Sequence, residues 1–183
     1  VLHSIVFSSL TALAIALLPI SMKTMRGLFV AITILFFFAA APIWQTEIYS
    51  LLPNPFMTLF APVPISPFPF VPWGGYFFGG AALAGYFFEA KDKQRFALII
   101  SSVTLFLCFF LFILKNTGLS AFEGKKWWAM APEYFIFRLS GASLFFSMLF
   151  LGERWFTGRL ADIVRRCGQE SLYFIGFNFS PGL

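Results

Sequence analysis

His3 is the single histidine of the chain, and so the side chain whose charge changes most readily near neutral pH. Within hydrogen-bond reach of an acceptor hydroxyl or amine it would act as a general base. No carboxylate lies near it in sequence, and the plainer reading is a polar residue near a helix end, satisfied by a neighbour. Arg138 stands inside an apolar run, about one turn from its start. A charge within a membrane span is costly and marks a functional position by default. It either lines a polar cavity or snorkels to the nearer surface. Glu133, just ahead of the run, is its partner or a favourable helix-start charge. Trp127 and Trp128 beside Lys125 and Lys126 suit a grip on a sugar or an anionic group, and equally an aromatic belt at a membrane surface. Arg154, Arg159, Arg165 and Arg166 form a basic stretch. It would hold a phosphorylated cytoplasmic donor or face phospholipid headgroups. No Walker loop, G-x-G-x-x-G, H-E-x-x-H or G-x-S-x-G occurs. Cys108 and Cys167 show neither metal-ligand spacing nor a paired framework.

The elements that position these residues follow from composition. Of the 183 residues, 59% are hydrophobic and only 11% charged, and 28 are Phe. Soluble domains carry about 25% charged residues, and a soluble fold of this size has too little interior for so much apolar surface. The net charge of +5 does not signal nucleic acid, because Lys and Arg sit in short clusters between apolar runs, as in membrane loops.

The stretch Pro67 to Phe88, PFPFVPWGGYFFGGAALAGYFF, organises the rest. Pro67, Pro69 and Pro72 exclude regular helix at its start. From Trp73 onward it is uncharged Gly, Ala and aromatic residue. Proline opens helices well, and Trp suits a membrane–water interface, so an extended segment on the bilayer face turns into a spanning helix at Pro72–Trp73. Gly75 with Gly79, and Ala81 with Gly85, form small-xxx-small pairs that admit a close helix neighbour. The glycine doublets are read as helix-packing residues, not a phosphate cradle.

Five spans are expected: Val1–Ile20, Gly27–Ile43, Val71–Phe88, Phe96–Leu114 and Tyr134–Leu151. A sixth apolar run, Ser171–Leu183, is too short as given to cross the bilayer. Gln45–Phe70 is a long, Pro-rich and apolar connection, expected to lie on the membrane surface or dip back into it. Glu153–Gln169 is basic and amphipathic, with Trp155, Leu160, Ile163 and Val164 on one helical face. Nine of the thirteen Lys and Arg lie in the turns at 22–26, 91–95 and 153–166, and three in the opposite loops. The positive-inside rule puts the basic turns in the cytoplasm, with the Pro-rich loop and the Trp127–Trp128 loop outside.

Three stretches resemble the membrane acyltransferases related to heparan-α-glucosaminide N-acetyltransferase. VLHSIVFSSLTALAIALL at the start is similar to the family's V-L-Q/H-x-I-G helix. SPFPFVPWGGYFFGGAALAGYFF (Ser66 to Phe88) resembles its F-P-L-F-P-W-x-G-Y-x-x-x-G signature, the most specific of the three. FRLSGASLFFSMLF (Phe137 to Phe150), followed by GQESLYFIGFN (Gly168 to Asn178), is similar to its G-x-E-S-L-x-x-Y-x-x-H ending. The resemblance implies a multi-pass protein that takes acetyl from acetyl-CoA, or an acyl group from another acyl-CoA, at the cytoplasmic face. The acceptor it implies is a saccharide on the far side. His3, Pro72, Trp73, Gln169, Glu170 and Ser171 match the family's patterns. Two departures stand out. The family's first helices and its His-bearing outer loop have no counterpart in the chain. Asn178 stands where the family has histidine and Ile175 where it has Tyr, and Asn cannot act as a base.

The expectation is an all-α polytopic bundle forming one transmembrane domain, the C-terminal portion of a larger multi-pass protein of a bacterial cytoplasmic membrane. Its expected function is acyl transfer onto an extracytoplasmic saccharide. His3 would be the base, and Pro72, Trp73, Glu133 and Arg138 would bind substrate. Arg154, Arg159, Arg165 and Arg166 would hold the donor; Gln169, Glu170, Ser171 and Asn178 would line the site. The lipid bilayer, a second copy of the chain or the missing N-terminal half are the expected partners, with no nucleic acid and no metal. A transporter or channel subunit and a non-catalytic scaffold are the alternatives; a transporter should carry several intramembrane ionisable groups, and only Arg138 qualifies.

Overall fold

Prolines and small polar caps decide where the helices begin and end. The computed structural model describes residues 2–62, 65–66, 68–118, 131–152 and 158, with 2, 3, 55 and 58 described by their backbone alone. Helix α1 (Leu2–Ala16) stops shortly before Pro19. Helix α2 (Met22–Gln45) starts at Ser21, whose hydroxyl accepts the Thr24 N–H at 3.1 Å. A 3₁₀ turn (Ile48–Leu51) and the short α3 (Asn54–Phe60), which carries a proline in its first turn, follow. Helix α4 (Phe70–Glu89) has extended backbone at Val71, so its regular part opens at Pro72. The Val71–Pro72 peptide is cis. Helix α5 (Lys93–Asn116) is capped by Asp92, which accepts the Arg95 N–H at 2.9 Å. Helix α6 (Pro132–Gly152) is the last helix among the described residues, which include no strand.

Three of these helices, α2, α5 and α6, are long and apolar enough to cross a membrane. At about 1.5 Å per residue, the 24 residues of α2 and of α5 reach about 36 Å, enough for a hydrocarbon core of about 30 Å. The expected count of five to six spans is not reached among the described residues. Helix α1 has 15 residues and falls short of that thickness. Helix α4 has the length, but five glycines, two tyrosines and Trp73 dilute its apolar character. The sixth run and the amphipathic stretch at 153–169 lie outside the described residues, as does the Trp127–Trp128 loop.

Packing centres on α4. It lies most extensively against α2 and also touches α1, α3, α5 and α6. Phe78, fully buried, joins Ile15, Phe29 and Ala82 in one cluster; Phe37, Ala40, Val71 and Phe135 form a second. The α4 glycines make the approach. A Cβ at Gly75 would stand 2.7 Å from the Phe37 ring, and one at Gly79 would stand 2.9 Å from Leu139. The hydroxyl of Thr33 donates between two carbonyls, Phe29 at 2.8 Å and Gly75 at 3.2 Å, tying α2 to α4. Helix α5 packs mainly on α6. Ala97, Thr104 and Leu111, seven residues apart, are its buried positions, and α6 buries Ser140, Ser143 and Ser147. Small and hydroxylated residues at the seam let the backbones come close. The outside is apolar: Leu98, Phe106 and Phe109 of α5 and Phe145 of α6 are more than half exposed. Soluble monomers rarely present so continuous an apolar exterior; it fits contact with a lipid bilayer.

Two ends of the bundle differ. At one, buried Arg26 at the start of α2 pairs with Glu89 at the end of α4 at 2.6 Å. The same guanidinium donates to the Gly85 carbonyl at 3.2 Å and lies 4.8 Å from the Tyr86 ring. At the other end, the indole of Trp44 donates to the Phe60 carbonyl at 2.7 Å, pinning α3 to the last turn of α2. The connection expected to be an apolar surface loop is therefore partly helical, and it buries Leu59 and Ala61.

Candidate functional site

The Pro-rich segment, α1 and α6 meet at the Trp44 end of the bundle. Proline leaves the backbone of 68–71 without helical hydrogen bonds, so its carbonyls need partners from elsewhere. Ser4 supplies one: its hydroxyl donates to the Phe68 carbonyl. Phe7 packs against Phe70 with tilted rings, their centres 6.2 Å apart. The segment from Phe68 to Trp73 thus lies beside the first helix. His3 is the residue before Ser4 and belongs to α1; its side chain is outside the described residues. Pro69 and Pro72 are among the most deeply buried side chains. They fix the strand-like entry into α4 and are covered, so Pro72 acts as a wedge and not as a surface for substrate.

Trp73 follows Pro72 and faces α6. Its ring packs on Phe68 at 4.9 Å and on Tyr76 at 5.5 Å. The guanidinium carbon of Arg138 lies 5.2 Å from the Trp73 ring centre and 5.5 Å from that of Tyr134, within reach for cation–π attraction. Arg138 is exposed and forms no ion pair among the described residues. Of the two readings of Glu133, the pairing with Arg138 is not formed, since residues five apart point to different sides of a helix; Glu133 lies in the first turn of α6, and two aromatic faces hold the guanidinium.

Trp73, Arg138 and Tyr76 line a cavity of about 470 Å³ between α4 and α6, which continues past Gly80 and Ala142 to Ser143 and Phe146. It has the size of a small-molecule site. Its described lining includes no carboxylate and no imidazole. It can hold an apolar body and attract a negative group, but it supplies no general base. The Tyr76 hydroxyl is buried without a hydrogen-bond partner among the described residues, which native structures rarely leave unexplained.

Sequence reasoning named Trp73 and Arg138, and the structure brings them together. It missed Tyr76, although a residue three beyond Trp73 shares its helix face. It also missed Arg26, assigned to a basic turn and found buried in a carbonyl, ring and carboxylate cage. Arg154, Arg159, Arg165, Arg166, Gln169, Glu170, Ser171 and Asn178 lie outside the described residues. Comparison of the chain with protein-family models, with curated proteins and with solved structures finds no match.

Proposed function

We propose that the chain is part of a membrane-embedded acyltransferase, moving an acyl group, acetyl from acetyl-CoA, onto a saccharide on the extracytoplasmic side. One observation carries this reading. The three stretches that resemble the heparan-α-glucosaminide N-acetyltransferase relatives are far apart in sequence and converge in space: Ser4 of the first bonds Phe68 of the second, and Trp73 of the second lies under Arg138 of the third. Residues that build one site must gather in this way. In this reading α4 crosses the membrane beside the three long helices, and α1, too short to span it, dips in next to α4. The basic turns face the cytoplasm, where Arg154, Arg159, Arg165 and Arg166 meet the phosphates of CoA, and the Pro-rich segment faces outward. His3, at the start of α1, is the base that the cavity itself lacks.

The test is acyl transfer by the purified chain, together with any sequence that continues in frame upstream of Val1. Radiolabelled acetyl-CoA and a hexosamine acceptor should give labelled sugar, and His3→Ala should slow the reaction by about 10²–10⁴-fold, the usual weight of a positioned base. Transfer that is unaffected by His3→Ala removes His3 from the mechanism. Absence of both transfer and acetyl-CoA binding removes the enzyme reading. The second reading, a non-catalytic membrane scaffold, draws on the cavity's lack of any base among its described residues, and would then stand.

A further inference from the structure

The glycines of α4 are not alike. Gly74, Gly75, Gly79 and Gly85 each face a neighbouring side chain that a Cβ would meet at 2.7–2.9 Å. A Cβ at Gly80 would meet nothing within 4 Å. Gly80 is thus no helix-contact residue; it borders the open cavity between α4 and α6. Ala84 and Ala142 continue the same opening, and all three are exposed to the side of the bundle. Leu139 and Phe146 form its walls. From Trp73 to Ala84 the slot follows α4 for about 16 Å at 1.5 Å per residue. One end carries Arg138, seated on two aromatic rings and without an ion pair among the described residues.

A long apolar slot open sideways, ending in a cation without an ion pair among the described residues, complements a molecule with a hydrocarbon chain and an anionic head. In a bilayer the molecule that meets this exterior is lipid. The guanidinium fork pairs with phosphate oxygens through two parallel N–H···O bonds. A free phosphate would gain only an exposed, salt-screened cation and leave the slot empty. We propose that the α4–α6 groove binds a net-anionic phospholipid, with one acyl chain along Gly80, Ala84 and Ala142 and its phosphodiester at Arg138. The site stands whether or not the chain transfers acyl groups.

The test uses the 183-residue chain in dodecyl maltoside and native mass spectrometry with phosphatidylglycerol and phosphatidylcholine of identical acyl chains. Phosphatidylglycerol should bind about tenfold more tightly, a difference of about 1.4 kcal/mol. Arg138→Gln should abolish that preference and leave phosphatidylcholine unchanged. Gly80→Leu, which fills the slot, should weaken both lipids. Arg138 is exposed and Gly80 faces open space, so both variants keep the fold, checked by melting temperature. Four outcomes overturn the site: no preference in the wild type, as when another segment of the chain or a second copy covers the groove; a preference that survives Arg138→Gln, which the basic turns would produce; binding unaffected by Gly80→Leu; or displacement of phosphatidylglycerol by millimolar inorganic phosphate, the mark of a soluble-anion site.

Discussion

Thr33 and Arg26 are polar residues buried inside this bundle, and the partners of each set the cost of losing it. Thr33 shares its hydroxyl between its own helix and the Gly75 carbonyl of α4. Interhelical hydrogen bonds of this kind average about 0.6 kcal/mol in a membrane protein. Thr33→Val, which keeps the shape, should therefore lower unfolding free energy by about that amount in detergent, read by denaturant titration; a loss several times larger would mean that Thr33 also holds the helices apart. Arg26 shows why such residues are hard to read from sequence. Its charge is answered by Glu89, by the Gly85 carbonyl and by Tyr86, all on a helix that begins long after it. Arg138 was legible as unusual, since a cation in an apolar run stands out. That Trp73 would be its platform was not, because the contact joins two helices whose relative rotation no local pattern encodes.

The helices show the same division. The expected spans Gly27–Ile43, Val71–Phe88, Phe96–Leu114 and Tyr134–Leu151 correspond to α2, α4, α5 and α6, whose bounds are a few residues wider. Hydrophobic runs and caps suffice for that. The roles of the two glycine doublets are not readable in the same way: Gly74–Gly75 and Gly79–Gly80 look alike in sequence, yet Gly75 is pressed on Phe37 and Gly80 faces empty space. Gly75→Ala should destabilise the protein by about 1–3 kcal/mol, as overpacking does. Gly80→Ala should stabilise it by about 0.5–1 kcal/mol, the helix cost of glycine recovered. Opposite shifts in melting temperature check the pair, and equal shifts would mean that α4 packs with another rotation. The span expected over Val1–Ile20 became the 15-residue α1 because Pro19 ends it early. The connection before α4 gained a helix where proline opens a turn.

At the scale of the molecule, the contacts at the two ends fix an antiparallel arrangement. The Arg26–Glu89 pair joins the start of α2 to the end of α4, while Trp44 and Phe60 meet at the opposite end. Lys23 and Lys91 therefore lie on one side of a membrane crossed by α2, and Ser50 on the other. With Cys108 and Cys167 replaced by Ala, cysteines introduced at Lys23 and Lys91 should react with an impermeant maleimide from one face of sealed vesicles, and a cysteine at Ser50 from the other face. Labelling of all three from one face would exclude the crossing by α2. The excess of Lys and Arg near Lys23 and Lys91 makes the cytoplasmic face the expected one for that pair.

Composition and hydropathy by themselves determined an all-helical, membrane-suited chain and the approximate limits of its long helices, because both depend on each residue's own affinity for water and on local caps. They also marked Pro72, Trp73 and Arg138 as residues out of keeping with their surroundings. Tertiary structure alone decided that Arg26 is buried and that Gly75 and Gly80 do different work. It likewise decided that Trp73 carries Arg138 and that a slot remains between α4 and α6. Each of these depends on how one helix is rotated against another, and that rotation is chosen by the fit of whole faces, Phe37 into Gly75 and Leu139 onto Gly79, which no single stretch of sequence contains.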